Sequence, residues 1–202
     1  MPDLEREVII VDTGGANLAS VRFAFERLQA SCRVSHKASE IQSASHVVLP
    51  GVGAAGDAMS TIKNHKLGDT LRALKQPVLG ICLGMHLMAR SSQEDNIDCL
   101  NVFDHDVTQI PKRERLPVPH MGWNQVELQS SPPLLKGIAQ NTYFYFVHSF
   151  AMTPVAQTLG TTRYGDKYSA IIARDNFMAT QFHPERSAAA GQQLLKNFLE
   201  LQ

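Results

Sequence analysis

Short β-branched runs alternate with stretches of helical periodicity through the first half of the chain, which predicts a parallel sheet flanked by helices. Val8-Ile9-Ile10-Val11 is the first expected strand. From Asn17 to Leu28, the residues Leu18, Val21, Phe25 and Leu28 recur at helical spacing, with Asn17 placed to cap the helix. Strands are expected near Cys32-Arg33-Val34 and at His46-Val47-Val48-Leu49, then a helix from about Gly56 to Leu74. Pro77-Val78-Leu79-Gly80-Ile81 reads as a buried strand running into Cys82-Leu83-Gly84 and a helix through Met88 and Ala89. From Cys99 to Met178 the runs shorten and alternate with period two between turn residues, so mainly antiparallel strands are expected, Tyr143 to Val147 most clearly. The chain closes on a strand, Phe177 to Phe182, and a helix with Leu194, Leu195, Phe198 and Leu201 on one face. The expected fold class is α/β, a mostly parallel sheet flanked by helices with an antiparallel extension.

At 202 residues, with no Gly/Ser-rich or Pro-rich linker and no internal repeat, the chain is expected to form one domain over 1–202. The 19 Lys and Arg cancel the 19 Asp and Glu, which argues against nucleic acid or an anionic membrane surface as a partner. The one basic run, Lys112-Arg113-Glu114-Arg115, lies between Pro111 and Leu116-Pro117 and reads as a solvated loop. The start, Met1 to Glu7, mixes charges and resembles neither a signal nor a transit peptide, and no apolar run approaches the ~20 residues that span a bilayer. A cytoplasmic location is expected. Cys32, Cys82 and Cys99, odd in number and irregularly spaced, fit reduced thiols better than a disulfide framework or a zinc site.

Gly80-Ile81-Cys82-Leu83-Gly84 has the form G-x-nucleophile-x-G at an expected strand-to-helix turn, where a sharp bend presents the central side chain outward. At such a turn the N–H of Leu83 points to where an oxyanion would form, and the helix start favours an anion. A buried cysteine packed at a tight turn is the plain alternative. Phe182-His183-Pro184-Glu185 is the second signal: Pro184 keeps the chain extended, so residues two apart project to one side and Glu185 can reach the His183 ring. A carboxylate on one ring nitrogen fixes the tautomer and leaves the other to move the thiol proton.

The loop Pro50-Gly51-Val52-Gly53-Ala54-Ala55-Gly56 also matches the dinucleotide pattern G-x-G-x-x-G. That reading requires an acidic residue near the end of the next strand, and Ile81-Cys82 stand there instead. The glycines are better read as a flexible loop that brings N–H groups to an oxyanion.

Through these three segments the chain resembles the class I glutamine amidotransferases over nearly its whole length. Asp12 to Leu18, Leu49 to Gly53, Pro119-His120-Met121-Gly122-Trp123-Asn124 and Tyr145 to Phe150 narrow the resemblance to the glutaminase subunits of imidazole glycerol phosphate synthase, in histidine biosynthesis. The resemblance implies a Rossmann-like α/β fold, a Cys82–His183–Glu185 triad, and an oxyanion hole from Gly51, Val52, Gly53 and Leu83. It implies no cofactor and no metal. It also implies a heterodimer with a barrel-shaped cyclase subunit that receives the ammonia, docking near His120, Met121, Trp123, Asn124 and Arg186, and glutamine held at Ser149 and Phe150.

Two positions depart from the family: His86 replaces a glutamine that contacts substrate, and Phe150 replaces a tyrosine. His86 still offers one donor and one acceptor, so rearranged glutamine contacts are expected; a solvent-facing histidine is the alternative. His36, His46, His65 and His105 have no partner motif and are expected at the surface, and Met85, Leu87 and Met88 in the core. Two rival functions fit the same motifs. One is a different Cys-His-Glu hydrolase, such as a peptidase or γ-glutamyl hydrolase; the other is a catalytically silent partner-binding module.

Overall fold

The structure, a computed structural model, describes residues 7–15 and 18–202; the expected cap Asn17 lies outside the described residues. The elements run β1 (Glu7–Val11), α1 (Leu18–Glu26), β2 (Ser31–Ser35), α2 (Ala38–Ser43), β3 (His46–Leu49), α3 (Ala55–Asn64), α4 (Gly68–Ala73), β4 (Val78–Ile81) and α5 (Leu83–Leu87). Then come β5 (Ser91–Ser92), β6 (Ile97–Asp98), β7 (Asp106–Gln109), β8 (His120–Leu128), β9 (Thr142–His148), β10 (Phe150–Ala151), β11 (Thr158–Tyr164), β12 (Asp166–Arg174), β13 (Phe177–Thr180) and α6 (Ala188–Leu199). The main sheet has the order β2-β1-β3-β4-β13-β12-β11-β8-β9. Its pairings are parallel from β2 to β13 and antiparallel from β13 to β9. A small second sheet, β10-β7-β5-β6, stands beside it.

Strands β3, β4 and β13 are buried at every position, which is why their sequences are near-continuous apolar runs rather than alternating ones. Successive strand side chains point to opposite faces and so build two cores. Ile9, Val11, Val47, Leu49 and Val78 meet Ala58, Met59 and Ile62 of α3 and Leu71 of α4 on one face. Val8, Ile10, Val48, Leu79 and Ile81 meet Val21 and Phe25 of α1 and Leu194, Leu195 and Phe198 of α6 on the other. Phe25 and Phe198 lie 6.2 Å apart between those two helices, so truncating either to alanine costs about 3–5 kcal/mol.

Several boundaries differ from expectation. The helix expected from Gly56 to Leu74 is two helices. The Leu67 N–H returns to the Ile62 carbonyl at 2.9 Å while Lys66 takes φ 54°, a left-handed closure that ends α3 before Gly68 opens α4. Helix α2 carries one buried residue, Ile41, too little for a periodic signal. Helix α5 stops at Leu87, short of Met88 and Ala89, and α6 stops at Leu199, leaving Leu201 beyond it. Strand β13 ends at Thr180, so Gln181 and Phe182 fall beyond the strand, between it and His183.

The parallel strands all run one way, so the segments after β1, β3, β4 and β13 emerge at one edge of the sheet. Those segments are Thr13 to Gly15, Pro50 to Gly53, Cys82, and Gln181 to His183. Open α/β sheets bind ligands at this edge.

Candidate active site

Cys82 links β4 directly to α5 with φ 51° and ψ −105°, a strained backbone for a residue with a side chain. Its N–H donates to the Thr180 carbonyl at 2.8 Å, and its own carbonyl accepts from the Met85 N–H at 2.9 Å. The flanking glycines are steric requirements. A Cβ on Gly84 would lie 1.7 Å from the Leu49 carbonyl oxygen, and one on Gly80 would lie 2.9 Å from the Gly84 backbone. With only five residues in α5, the anion-favouring groups are its first free N–H groups rather than a long helix dipole.

His183 and Glu185 meet at 2.8 Å between Nδ1 and Oε1, both side chains fully buried or nearly so. An extended chain is expected from Pro184, but Pro184–Arg186 is a 3-10 turn, and that turn folds the carboxylate back to the ring. Since a carboxylate only accepts, Nδ1 carries the proton. Nε2 is buried and makes no hydrogen bond of regular geometry among the described residues. Burial disfavours a charged ring here, but the nearby Cys82 sulfur and the Glu185 carboxylate outweigh it and raise His183 to about 10. The sulfur itself donates to the Val147 carbonyl at 3.7 Å.

A cavity of about 340 Å³ opens over Cys82 and His183. Its lining includes Gly51, Val52, Gly53 and Leu83, together with Ser149, Phe150 and His86. Gly51 is fixed by contact, since a Cβ there would lie 2.6 Å from that of Leu83. Gly53 stands at φ 110° with open space around it, so its requirement is torsional. His86 is buried, not solvent-facing: Nε2 meets Gln181 Oε1 at 3.0 Å, and burial lowers it to about 4.

Two residues in or beside this cavity lie outside every sequence motif. Glu94 supplies the one carboxylate of its lining among the described residues and accepts from the Ala55 N–H at 3.2 Å; burial, then the charge of Asp95, push it above the usual carboxylate range. Its only sequence cue is an acidic pair, Glu94-Asp95. Gln181 points its amide nitrogen at the Cys82 sulfur, 3.9 Å away, and is hidden in the sequence inside the expected last strand.

The expected partner residues divide. Met121 and Trp123 are 62% and 52% exposed on β8, and Tyr143 of β9 joins them at 54%. Asn124 is half-buried, and Arg186 is exposed in the turn after Glu185. His120 is a correction: it is 3% exposed, turned inward and stacked between Phe146 at 4.8 Å and Tyr164 at 4.0 Å. The alternation of β8 sends it to the inner face while Met121 faces out. His46 is a second correction, buried against Phe198 at 5.1 Å, whereas His36 and His65 are exposed and stacked on each other. Met85, Leu87 and Met88 are core residues as expected.

The family model "Glutamine amidotransferase class-I" matches residues 9–201. The imidazole glycerol phosphate synthase subunit HisH of Haemophilus influenzae is 47% identical over 193 residues, covering 96% of this chain and 96% of the relative. The protein of the same name from Photorhabdus laumondii is 48% identical, covering 96% of this chain and 100% of its own. Among solved structures, a glutamine amidotransferase from Thermotoga maritima superposes with TM-score 0.66 at 17% identity, over 97% of this chain and 81% of that one, a likeness of fold alone. The chain therefore belongs to the class I glutamine amidotransferases, on the branch of the imidazole glycerol phosphate synthase subunits.

Proposed function

We propose that this chain hydrolyses glutamine to glutamate and ammonia with Cys82, His183 and Glu185, and delivers the ammonia to a cyclase subunit. That partner would make imidazole glycerol phosphate and AICAR in histidine biosynthesis. The observation that carries the reading is the strained Cys82 elbow sharing one cavity with the His183–Glu185 pair. The Cys82 sulfur, its proton already held by His183, attacks the γ-carboxamide carbon, and the imidazolium gives that proton to the departing ammonia. Water, activated by the same imidazole, releases glutamate from the thioester. The Leu83 N–H and the Gly51–Gly53 loop would receive the oxyanion, worth roughly 2.7–4 kcal/mol per donor. Glu94 would take the α-ammonium of the substrate, with Ser149 and Phe150 lining its path.

The same reading assigns the face of β8 and β9 to the partner. Trp123 and Tyr145 are register partners, as are Gln125 and Tyr143, so Met121, Trp123 and Tyr143 form one exposed apolar patch on these paired strands. The thiols Cys32, Cys82 and Cys99 are all free, which suits a reducing cytosol, and no helix among the described residues is long and apolar enough to cross a membrane.

The test is turnover of glutamine, against γ-glutamyl peptides and a casein-type protein, with and without a co-purified cyclase subunit. Glutamine turnover that rises with the cyclase supports the reading. Preferential peptide turnover would move the chain to another hydrolase class. Failure of a glutamine-like electrophile to label Cys82 would favour a silent binding module.

A further inference from the structure

The Cys82 sulfur has two polar neighbours of opposite sense. The Val147 carbonyl, at 3.7 Å, accepts a proton from the neutral thiol. The Gln181 Nε2, at 3.9 Å, donates. Once the sulfur is charged the carbonyl becomes an unfavourable neighbour and the amide a favourable one. Gln181 is fully buried, and its backbone N–H is tied to the Ala170 carbonyl of β12 at 2.9 Å, so its side chain does not have to move from solvent to act.

Its orientation is set from behind. His86 Nε2 lies 3.0 Å from Gln181 Oε1. An amide oxygen only accepts, so that nitrogen carries the proton. With its oxygen engaged, the amide has only its NH2 group to present to the sulfur. We infer that Gln181 is a hydrogen-bond donor to the ionised nucleophile and that His86 is the residue that positions it. The chain His86 to Gln181 to Cys82 thus approaches the sulfur independently of His183 and selects the charged form before substrate arrives. This rests on Cys82 being the nucleophile.

The experiment is alkylation of Cys82 by iodoacetamide between about pH 5.5 and 9.5, the range over which thiols and imidazoles titrate, followed by mass spectrometry of the Cys82 peptide. Steady-state glutamine kinetics are run on the same proteins. His86, Glu94, His148 and His183 line the cavity around the sulfur, with Glu185 behind His183, so the profile is read as a difference between variants. Gln181→Met keeps the side-chain length and removes the donor. It should move half-maximal alkylation up by about one pH unit and lower kcat by about tenfold while leaving KM for glutamine unchanged. His86→Leu should shift the profile in the same direction, and His86→Gln, which restores a donor to the Gln181 oxygen, should bring it back. The His86 pair carries the test if Gln181→Met does not fold. Wild-type profiles in both Gln181→Met and His86→Leu would overturn the inference, as would loss in His86→Leu without recovery in His86→Gln. The underlying assignment fails separately: it falls if wild-type protein fully alkylated at Cys82 still turns over glutamine.

Discussion

His120 donates from Nδ1 to Nε2 of His148 across 2.9 Å, joining the inner face of β8 to the wall of the Cys82 cavity. The direction follows from the far end. His148 Nδ1 lies 2.8 Å from the Phe150 carbonyl, which only accepts, so Nδ1 holds the proton and Nε2 the lone pair. His120 then has its other nitrogen free to accept from Asn124 Nδ2 at 3.2 Å. One directed chain therefore runs from Asn124, next in sequence to the exposed Trp123, to the backbone at Phe150. His120→Phe keeps the ring stacking and breaks the chain. It is expected to raise KM for glutamine by up to about tenfold, the worth of one neutral hydrogen bond, with a smaller change in kcat; steady-state kinetics on the folded variant check it.

Protonating either histidine puts a donor where an acceptor is needed. Burial lowers His120 to about 4, and burial, then the His120 charge, lower His148 to about 3. His86 behaves alike at about 4. In the unfolded chain these rings take up protons near pH ~6.5, so below that value acid favours unfolding. The contribution of these three rings should be full above pH ~6.5 and fall steadily as pH drops towards ~4. Denaturant melts from about pH 7.5 to about 4.5 should have a shallower pH slope in His120→Phe than in wild type.

His183 has the opposite sign. Its folded value, about 10, exceeds the unfolded one, so the charged ring stabilises the fold fully below pH ~6.5 and stops doing so as pH rises through ~10. Because the Cys82 sulfur contributes to the rise, the His183 ring in Cys82→Ala should titrate lower than in wild type. NMR of ring-labelled histidine measures this, and an unchanged titration would leave Glu185 alone responsible.

Cys82→Ala, docked on the cyclase, should abolish glutamine-dependent cyclisation and leave cyclisation driven by added ammonium salt intact, because only the ammonia source is lost. Glu185→Gln should impair glutamine turnover less completely, since nucleophile and base both remain. Equal losses in the two variants would mean that the carboxylate does more than orient and charge the ring.

The isolated chain is expected to turn over glutamine poorly and to be stimulated by the docked cyclase with a ligand in its site. Gly53 can change its backbone orientation, and one missing oxyanion donor costs ~10²–10³ in rate. Trp123→Ala, which removes the largest exposed side chain of the β8 patch, should weaken docking by about 2 kcal/mol or more. Titration calorimetry measures the docking. Full activity of the chain alone, indifferent to partner and ligand, would refute the coupling and leave the triad proposal untouched.

Local chemistry alone makes the strands β1, β3 and β4 legible, because strands covered on both faces need continuous apolar runs and those runs survive any neighbour. The elbow is legible for the same reason: the contacts that exclude a side chain at Gly80 and Gly84 come from a turn and a strand only a few dozen residues away, and leave a spaced glycine pair in the sequence. Position in space is different. Glu94 and Gln181 reach the Cys82 cavity only because a hairpin turn and a strand end are carried there by the sheets, and neither sits in a pattern that spacing could reveal. His120 illustrates the limit most sharply. Its string identifies the family, but whether it faces a partner or the core is decided by the register of β8 against β9, which pairs it with His148 and leaves Met121 and Trp123 outside.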